Sequence, residues 1–235
     1  AVRYLENKEP IILQRSDGYI GVLIDDLISK GTQEPYRMMT SRAEFRLLLR
    51  QDNADQRLTP IGYDIGLIDE NRYQALLEKQ RLTEQEINRV KKRSIAPNAK
   101  TLEVLALHNS TPIQSGVKLS DLIKRPELDY EKLACLDEER PELPPDVKEQ
   151  VNIQIKYEGY IGQQMKQVEQ FQKLENRMLP EDIDYETIQG LRLEARQKLN
   201  AIRPRSIGHA SRITGVSPAD ISVLLIYMEQ QKRQM

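Results

Sequence analysis

The sequence predicts a mainly α-helical, multi-helix protein with a small irregular portion near its N-terminal end. Two observations carry this prediction. Apolar residues recur at spacings of three and four along several segments, as on the buried face of a helix. Residues that commonly start or end helices, among them Asp, Ser, Pro and Gly, bracket those segments. The chain has 235 residues, which is room for one large domain or two small ones.

Three helices are predicted in the first part of the chain. Apolar residues at helical spacing predict a helix over 19–29. Thr59 and Pro60 have the pattern of an N-cap followed by proline at the first helical position, and they predict a short helix that runs to Gly66. Asp69 then begins a long charged helix that extends to about residue 93.

Prolines divide the part of the chain that follows. We expect short helices near residues 99–108, 119–124 and 129–136, and a long helix over 147–178. A final helix opens at Ser217, with proline at its first position. These elements divide the chain into residues 1–66, a helical linker region over 67–145, and a C-terminal helical domain over 146–235.

Composition excludes several classes of protein. No run approaches the roughly 20 apolar residues of a membrane span, so we expect no membrane-spanning segment. The single cysteine, Cys135, cannot form an internal disulfide, so a reducing compartment such as the cytoplasm fits. One cysteine and two histidines are too few of the usual ligands for a structural zinc site. The chain contains neither a Gly-x-Gly-x-x-Gly motif nor a P-loop, and no general acid–base pair stands out. We therefore predict no catalytic, cofactor-binding or metal-binding residue in this chain.

The formal net charge of −1 conceals an uneven distribution. Residues 72–100 carry eight bases and three acids, and residues 189–235 again carry eight bases and three acids. Between them, residues 101–188 carry ten bases and eighteen acids. A polyanionic partner is therefore compatible with the neutral total, although the same blocks also fit solvated helix faces.

The densest group of arginines lies between residues 36 and 57 and consists of Arg37, Arg42, Arg46, Arg50 and Arg57. Those at 42, 46 and 50 are spaced by four, and in a helix they would form one basic stripe with steps of about 6 Å. Arginine binds phosphate in a bidentate manner and stacks on bases, and Tyr36 and Phe45 are possible stacking partners. The pattern predicts a phosphate-binding surface. The alternative is that these arginines pair with neighbouring carboxylates and only support the local fold.

Residues 207–221 have the rhythm of a helix-turn-helix motif. The second helix of such a motif would offer Asp220 and Ser222 but hardly any other base-reading side chain, because residues 221–228 are mostly apolar. Packing or a protein interface is therefore favoured over DNA reading. A DNA-binding regulator and a helical interaction scaffold without RNA affinity both remain alternative functions.

Residues 34–59, which read EPYRMMTSRAEFRLLLRQDNADQRLT, closely resemble the second signature of the tRNA uridine 5-carboxymethylaminomethyl modification enzymes, the MnmG or GidA family. Three further segments resemble the same family: GYIGVLIDDL at 18–27, IKYEGYI at 155–161 and IGHASRITGVSPADIS at 207–222. The resemblance covers essentially the whole chain but only the C-terminal part of the family. Because the chain also begins without Met, we expect it to be a portion of a longer protein.

The resemblance implies a homodimeric flavoprotein that, with the GTPase partner MnmE (TrmE), adds an aminomethyl-type group at C5 of the wobble uridine of tRNA. It implies FAD, NADH and methylenetetrahydrofolate as cofactors, and it makes residues 1–66 the end of the flavin-domain core. The family's dinucleotide motif and functional cysteines lie upstream, so this chain is not expected to catalyse the reaction alone. Its implied role is to bind tRNA and the GTPase.

Three sets of residues become candidates under this resemblance. The expected tRNA-binding residues are Arg37, Arg42, Arg46, Arg50, Arg57, Lys91, Lys92 and Arg93. The other candidates for a second tRNA contact are Arg203, Arg205 and Arg212. The GTPase interface is expected within residues 181–235, at Ile207, Arg212, Ile213, Val216, Leu224 and Tyr227.

Overall fold

The computed structural model describes residues 2–29, 31 and 35–234, and its regular structure is almost entirely helical. The helices are α1 (Val2–Leu5), α2 (Tyr19–Ser29), α3 (Ala54–Asp64), α4 (Glu70–Lys92), α5 (Ala99–Leu107), α6 (Leu119–Ile123), α7 (Pro145–Lys156), α8 (Glu158–Glu175), α9 (Leu193–Ile202), α10 (Ile207–Ser211) and α11 (Pro218–Gln234). Two short strands, β1 (Ser94–Ile95) and β2 (Val117–Lys118), pair antiparallel. The predicted mainly helical fold class is confirmed.

Local capping explains where the best-predicted helices begin. Asp69 is the N-cap of α4, and its side chain accepts a hydrogen bond of 2.8 Å from the backbone N–H of Arg72. Ser217 and Asp220 form a reciprocal capping pair at the start of α11. The Ser217 hydroxyl accepts from the Asp220 N–H at 3.3 Å, and the Asp220 carboxylate accepts from the Ser217 N–H at 2.8 Å. Both starts agree with the sequence prediction.

Three predicted elements differ in the structure. Helix α3 begins at Ala54, so Pro60 lies inside it rather than at its first turn; proline there removes only one backbone hydrogen bond, and the rest of the helix is retained. Residues 129–136 form turns and a 3₁₀ helix (Ala134–Leu136) instead of an α-helix. The long helix expected over 147–178 is two helices, because the backbone departs from helical geometry at Tyr157, between α7 and α8.

The described chain divides into two compact units. Unit 1 comprises Ala1–Pro10 and Leu47–Gln163, and unit 2 comprises Ile11–Arg46 and Gln164–Met235. In unit 1, α4 packs against α3, α6 and α7. The core of this unit is formed by buried apolar side chains, which include Val90, Leu105, Leu122, Leu128 and Val151. The domain boundaries expected at 66 and 145 stay a prediction.

Unit 2 has a separate core built from α9, α10, α11 and the irregular segment before them. Tyr185, Leu199, Ile207 and Leu224 are fully buried in it. The N-terminal part of this unit includes α2, which approaches the preceding backbone so closely that a Cβ atom at Gly21 would lie 2.2 Å from the Gln14 carbonyl oxygen. Glycine is therefore required there, because this approach packs α2 against the backbone of Leu13 and Gln14.

Candidate nucleic-acid interface

The arginine-rich segment does not form the helical stripe that a spacing of four suggests. Within residues 36–46 the only helical element is a 3₁₀ turn, Thr40–Arg42, and the backbone on both sides of it is extended. Burial alternates after that turn, since Ala43 and Phe45 are buried while their neighbours on each side are exposed. Arg42, Glu44 and Arg46 therefore lie on the exposed side of this short stretch, and Ala43 and Phe45 lie on its buried side. This segment, residues 36–46, is called the arginine loop below.

Phe45 cannot act as the stacking partner expected from the sequence. It is 5% exposed, and its ring packs edge-on against Phe171 with ring centroids 5.6 Å apart. Phe45 therefore anchors the arginine loop to α8 within unit 2.

A buried arginine that the sequence analysis does not single out supports the arginine loop. Arg15 is 2% exposed and donates to Asp26 at 2.8 Å and to Glu44 at 2.7 and 3.2 Å. It also donates to the backbone carbonyl of Arg42 at 3.2 Å. Burial alone would lower the pKa of Arg15, but the carboxylates of Glu44 and Asp26 raise it above its usual range. The side chain is therefore a permanent cation that links α2 to both ends of the 42–44 stretch.

The other end of the arginine loop is held by Tyr36. Its hydroxyl donates to Asp26 at 2.7 Å, and the guanidinium of Arg42 lies 4.3 Å from the centre of its ring. Burial and the hydrogen bond to Asp26 raise the pKa of Tyr36. Arg42 also lies 4.0 Å from the Asp26 carboxylate, although 42% of its side chain remains exposed. Arg42 is thus partly engaged, with its outer face open to solvent.

Arg37 and Arg46 are the free cations of the arginine loop. Both are exposed, and neither makes an ion pair or side-chain hydrogen bond with any residue in the described ranges 2–29, 31 and 35–234. Because the loop is anchored on both sides, these two guanidinium groups are presented from a supported backbone. Among the predicted tRNA-binding residues of unit 2, they are the ones best placed to accept an external anion.

In unit 1, Arg50 and Arg57 are used mainly to hold the local fold. Arg50 donates to Asp52 at 3.0–3.2 Å and to the Leu47 carbonyl. Arg57 donates to the Asn53 side chain at 3.0 Å and to the Arg50 carbonyl at 2.9 Å. Burial would raise the pKa of Asp52, but hydrogen bonds, chiefly from Arg50, lower it overall. Arg50 thus matches the alternative interpretation of pairing with a neighbouring carboxylate, and Arg57 supports the local fold through Asn53 and a backbone carbonyl.

The basic residues at the end of α4 are also mostly paired. Lys91 contacts Glu158 at 2.6 Å, and Arg93 contacts Glu139 at 2.8 Å. Lys92 is exposed, and its side chain makes no ion pair within the described part of the chain. The structure does bring two predicted residues together here, because Lys91 and Arg50 line one cleft of about 420 Å³ in unit 1.

Of the three alternative cations, Arg203 and Arg205 are exposed, whereas Arg212 is not available. The Arg212 side chain is 12% exposed and pairs with Asp25 at 2.8 Å and with Glu175. Its neighbour His209 has a buried Nε2 atom without a hydrogen-bond partner among the described residues, and burial lowers the pKa of this imidazole.

Most of the expected partner-binding residues lie in the core of unit 2. Ile207 and Leu224 are fully buried, and Ile213 is 2% exposed. Val216 and Tyr227 are half-buried and pack against the same core. Asp220, one of the two polar residues that a DNA-reading helix would present, is 1% exposed and is held by Arg192 at 2.7 Å. The apolar spacing that suggested an interface is explained by the fold of the unit itself.

Other kinds of site are not found in the described residues. No group of three or more His, Cys, Asp or Glu side chains there is arranged to hold a metal ion. No helix among them is long and apolar enough to cross a membrane. Cys135 is an exposed free thiol.

Comparisons with known proteins agree on one family. Residues 70–165 match the model of the tRNA modifying enzyme MnmG/GidA C-terminal helical domain, and residues 167–235 match that of its C-terminal helical bundle. The chain is 62% identical over 233 residues to the tRNA uridine 5-carboxymethylaminomethyl modification enzyme MnmG of Caldicellulosiruptor saccharolyticus, covering 99% of this chain and 37% of the relative. It is 60% identical over 230 residues to the enzyme of the same name from Clostridium kluyveri, covering 98% of this chain and 37% of that relative.

A solved structure gives the same result. Aquifex aeolicus GidA, in its form II crystal, superimposes with a TM-score of 0.80 and 38% identity, covering 97% of this chain and 35% of that one. The chain thus spans little more than a third of the length of the proteins that it matches.

Proposed function

Because this chain belongs to the MnmG/GidA family of tRNA-modifying enzymes and corresponds to its C-terminal region, we propose that it binds the tRNA substrate of such an enzyme. The observation that supports this role most directly is the arginine loop of unit 2. Arg15 and Tyr36 hold its backbone, and Arg37 and Arg46 remain exposed and unpaired within the described residues.

The physical basis of the proposed contact is phosphate neutralisation. Each guanidinium that replaces counterions on an RNA strand contributes affinity that decreases with salt. A supported loop loses little conformational freedom on binding, so more of the contact energy appears as affinity. Arg42 adds a partly exposed guanidinium between the two free ones, and Lys92 provides an exposed cation in unit 1.

The complete activity is part of the same proposal. We infer a homodimeric FAD enzyme that acts in the cytoplasm, where its tRNA is found, to modify C5 of the wobble uridine together with the GTPase MnmE, with NADH and methylenetetrahydrofolate. The sequence of this chain has no dinucleotide-binding motif that would hold FAD. We therefore assign it substrate and partner binding and no chemical step.

The GTPase contact is proposed for the surface of unit 2 rather than for the buried residues named from the sequence. On α11, Leu224 is fully buried but Ile226 is 57% exposed. An exposed apolar side chain of this kind is available to a protein partner, whereas Leu224 is needed by the core.

The tRNA proposal is tested by titrating tRNA at several salt concentrations against the wild-type chain and an Arg37→Ala/Arg46→Ala double variant. At about 1 kcal/mol for each exposed charge-assisted contact, the double variant should bind about 30-fold more weakly. Loss of two phosphate contacts should also reduce the slope of log K against log salt by about 1.4–1.8.

The matched control is Arg72→Ala/Lys100→Ala, which removes the same charge from two exposed cations on α4 and α5 of unit 1. A general electrostatic effect would lower the affinity of both double variants equally. That result, or an unchanged affinity of the Arg37→Ala/Arg46→Ala variant, would remove the arginine loop from the interface.

A further inference from the structure

Unit 2 contains a groove that the arginine loop does not explain. It has a volume of about 600 Å³ and lies between the segment 178–185 and the turn 203–205. The two walls are joined by backbone contacts, since the Leu179 N–H donates to the Arg205 carbonyl at 2.9 Å and Met178 pairs with Ser206 in an antiparallel bridge. A groove of this size matches small-ligand sites in proteins.

One of the residues that line the groove is Tyr185, a buried phenol without a hydrogen-bond partner among the described residues. Tyr185 is 0% exposed, and its hydroxyl makes no hydrogen bond with any residue that the structure describes. Burial raises the pKa of Tyr185, so the hydroxyl stays protonated and can both donate and accept a hydrogen bond. Buried polar atoms in folded proteins are nearly always satisfied, and an unsatisfied one beneath a groove points to a ligand atom that would satisfy it.

The rim of the groove carries two arginines. Arg203 caps α9 in the left-handed conformation, with φ of 50°, which side chains rarely adopt. One of its nitrogens donates to the Ile183 carbonyl at 2.7 Å, and its guanidinium lies 5.8 Å from the centre of the Tyr185 ring. The exposed side chain of Arg205 makes no ion pair within the described ranges. Glu181 is the one acid among the lining residues, so the rim favours an anion.

We propose that this groove binds one nucleotide of a single-stranded RNA segment, and this assignment rests on the tRNA-binding function proposed above. The phosphate would lie between Arg203 and Arg205, whose planar guanidinium groups match phosphate oxygens. The base would enter between Met178 and Pro204, and one of its edge atoms would satisfy the Tyr185 hydroxyl. Met178 is 59% exposed and flexible, so it can move aside to admit the base.

An RNA nucleotide suits the groove better than an acidic peptide because three features must be met together. The two arginines at the rim favour a compact anion, and the narrow space beside Met178 and Pro204 favours a flat apolar body. The unpaired Tyr185 hydroxyl favours a ligand that also has a hydrogen-bonding edge. A nucleotide combines all three, and single-stranded RNA presents unstacked bases to proteins in this manner. An acidic side chain would supply the anion but no flat apolar body to lie between the walls.

The decisive variant is Tyr185→Phe, which removes the hydroxyl and keeps the ring that fills the core. If the hydroxyl bonds the base, tRNA affinity should fall by about 2- to 12-fold while the melting temperature is unchanged or higher. Arg205→Ala should weaken binding and reduce its salt dependence. Tyr157→Phe is the matched control, since that ring is 45% exposed and lies in unit 1.

The outcomes separate this assignment from the function on which it rests. A wild-type chain without tRNA affinity overturns both. If tRNA affinity falls in Arg37→Ala/Arg46→Ala but is unchanged in both Tyr185→Phe and Arg205→Ala, the nucleotide site in the groove is wrong and the tRNA-binding function stands. If Arg205→Ala abolishes capture of the GTPase partner and leaves tRNA affinity unchanged, the groove is a protein interface and the nucleotide assignment is wrong.

Discussion

Replacing Arg15 with Met should destabilise unit 2 more than any change to an exposed ion pair of the chain. Arg15 is the buried cation that neutralises Asp26, and each side chain is only 2% exposed. Methionine has a similar length but no charge, so the variant takes the buried guanidinium away from the Asp26 carboxylate, to which the Tyr36 hydroxyl still donates. Breaking a buried pair by removing one partner costs about 3–5 kcal/mol, because the other charge loses its buried counter-charge.

The size of the loss can be worked out further from the contacts. Arg15 also donates to the backbone carbonyls of Val22 at 3.3 Å and Arg42 at 3.2 Å, and each lost bond adds about 1 kcal/mol. Partial hydration of the variant offsets some of this, so we expect a total loss of about 3–5 kcal/mol. The exposed pair Arg81–Glu78 gives the comparison: both side chains are more than half exposed, and Arg81→Met should cost under about 0.5 kcal/mol.

Urea denaturation followed by circular dichroism gives the free energy of unfolding, and hydrogen exchange on peptides from residues 11–46 shows whether the loss occurs in unit 2. A companion variant, Asp26→Asn, removes the buried negative charge that Arg15 neutralises. The loss of unfolding free energy in the double variant Arg15→Met/Asp26→Asn should be smaller, by at least about 1 kcal/mol, than the sum of the losses in the two single variants. A loss below about 1 kcal/mol in Arg15→Met, or strictly additive losses, would refute the view that this pair supports the arginine loop.

Two further predictions concern the C-terminal helix. Hydrogen bonding, chiefly from Arg192, holds the pKa of Asp220 below its usual range. The ionised Asp220 carboxylate therefore stabilises the folded state above about pH 4, and this contribution is lost as the pH falls through the lowered pKa. Asp220→Asn should therefore be about 1.5–3 kcal/mol less stable than wild type at pH 7. Urea titrations should show the free energies of unfolding of the variant and the wild type converging as the pH falls from about 4 to about 2. A difference that stays constant with pH would contradict this. Leu224→Ala should cost about 2–5 kcal/mol, because it leaves a cavity in the core, whereas Ile226→Ala on the same helix should cost under about 1 kcal/mol in the same assay. Equal losses in the two variants would mean that the buried position of Leu224 is wrong.

The helices were the part of the fold that the sequence predicted well, for local physical reasons. Asp69 caps α4 and Ser217 caps α11, and both capping contacts depend on residues within three positions along the chain. Pro60 misled the prediction because proline is common at a first turn, yet one missing N–H can also be tolerated inside a helix. The apolar spacing of residues 207–228 correctly indicated a buried face, but not whether this chain or a partner covers it.

The arginine loop was harder to predict, because a spacing of four has two structural meanings. Residues four apart share a face of a helix, and since four is even, they also share a side of an extended chain. Ala43 and Phe45 alternate with the polar residues around them, and this alternation was the signal for the extended form. No local pattern could identify Arg15 as the buried arginine, since its partners Asp26 and Glu44 come from separate segments.

The extended form changes what the arginines can do. Along a helix, Arg42 and Arg46 would be separated by about 6 Å, whereas four extended residues can separate them by up to about 14 Å. Two phosphates contacted at once would then be further apart along the strand than a helical stripe allows. Arg15 helps to maintain this spacing, because it holds the Arg42 carbonyl and Glu44 in place. Arg15 is buried and cannot touch RNA, yet Arg15→Lys should weaken tRNA binding, because lysine keeps the charge but lacks the planar guanidinium that bonds both Glu44 and the Arg42 carbonyl. A surface that worked by net charge alone would not respond to this charge-conserving substitution, so tRNA affinity in Arg15→Lys distinguishes a shaped arginine surface from a diffuse one.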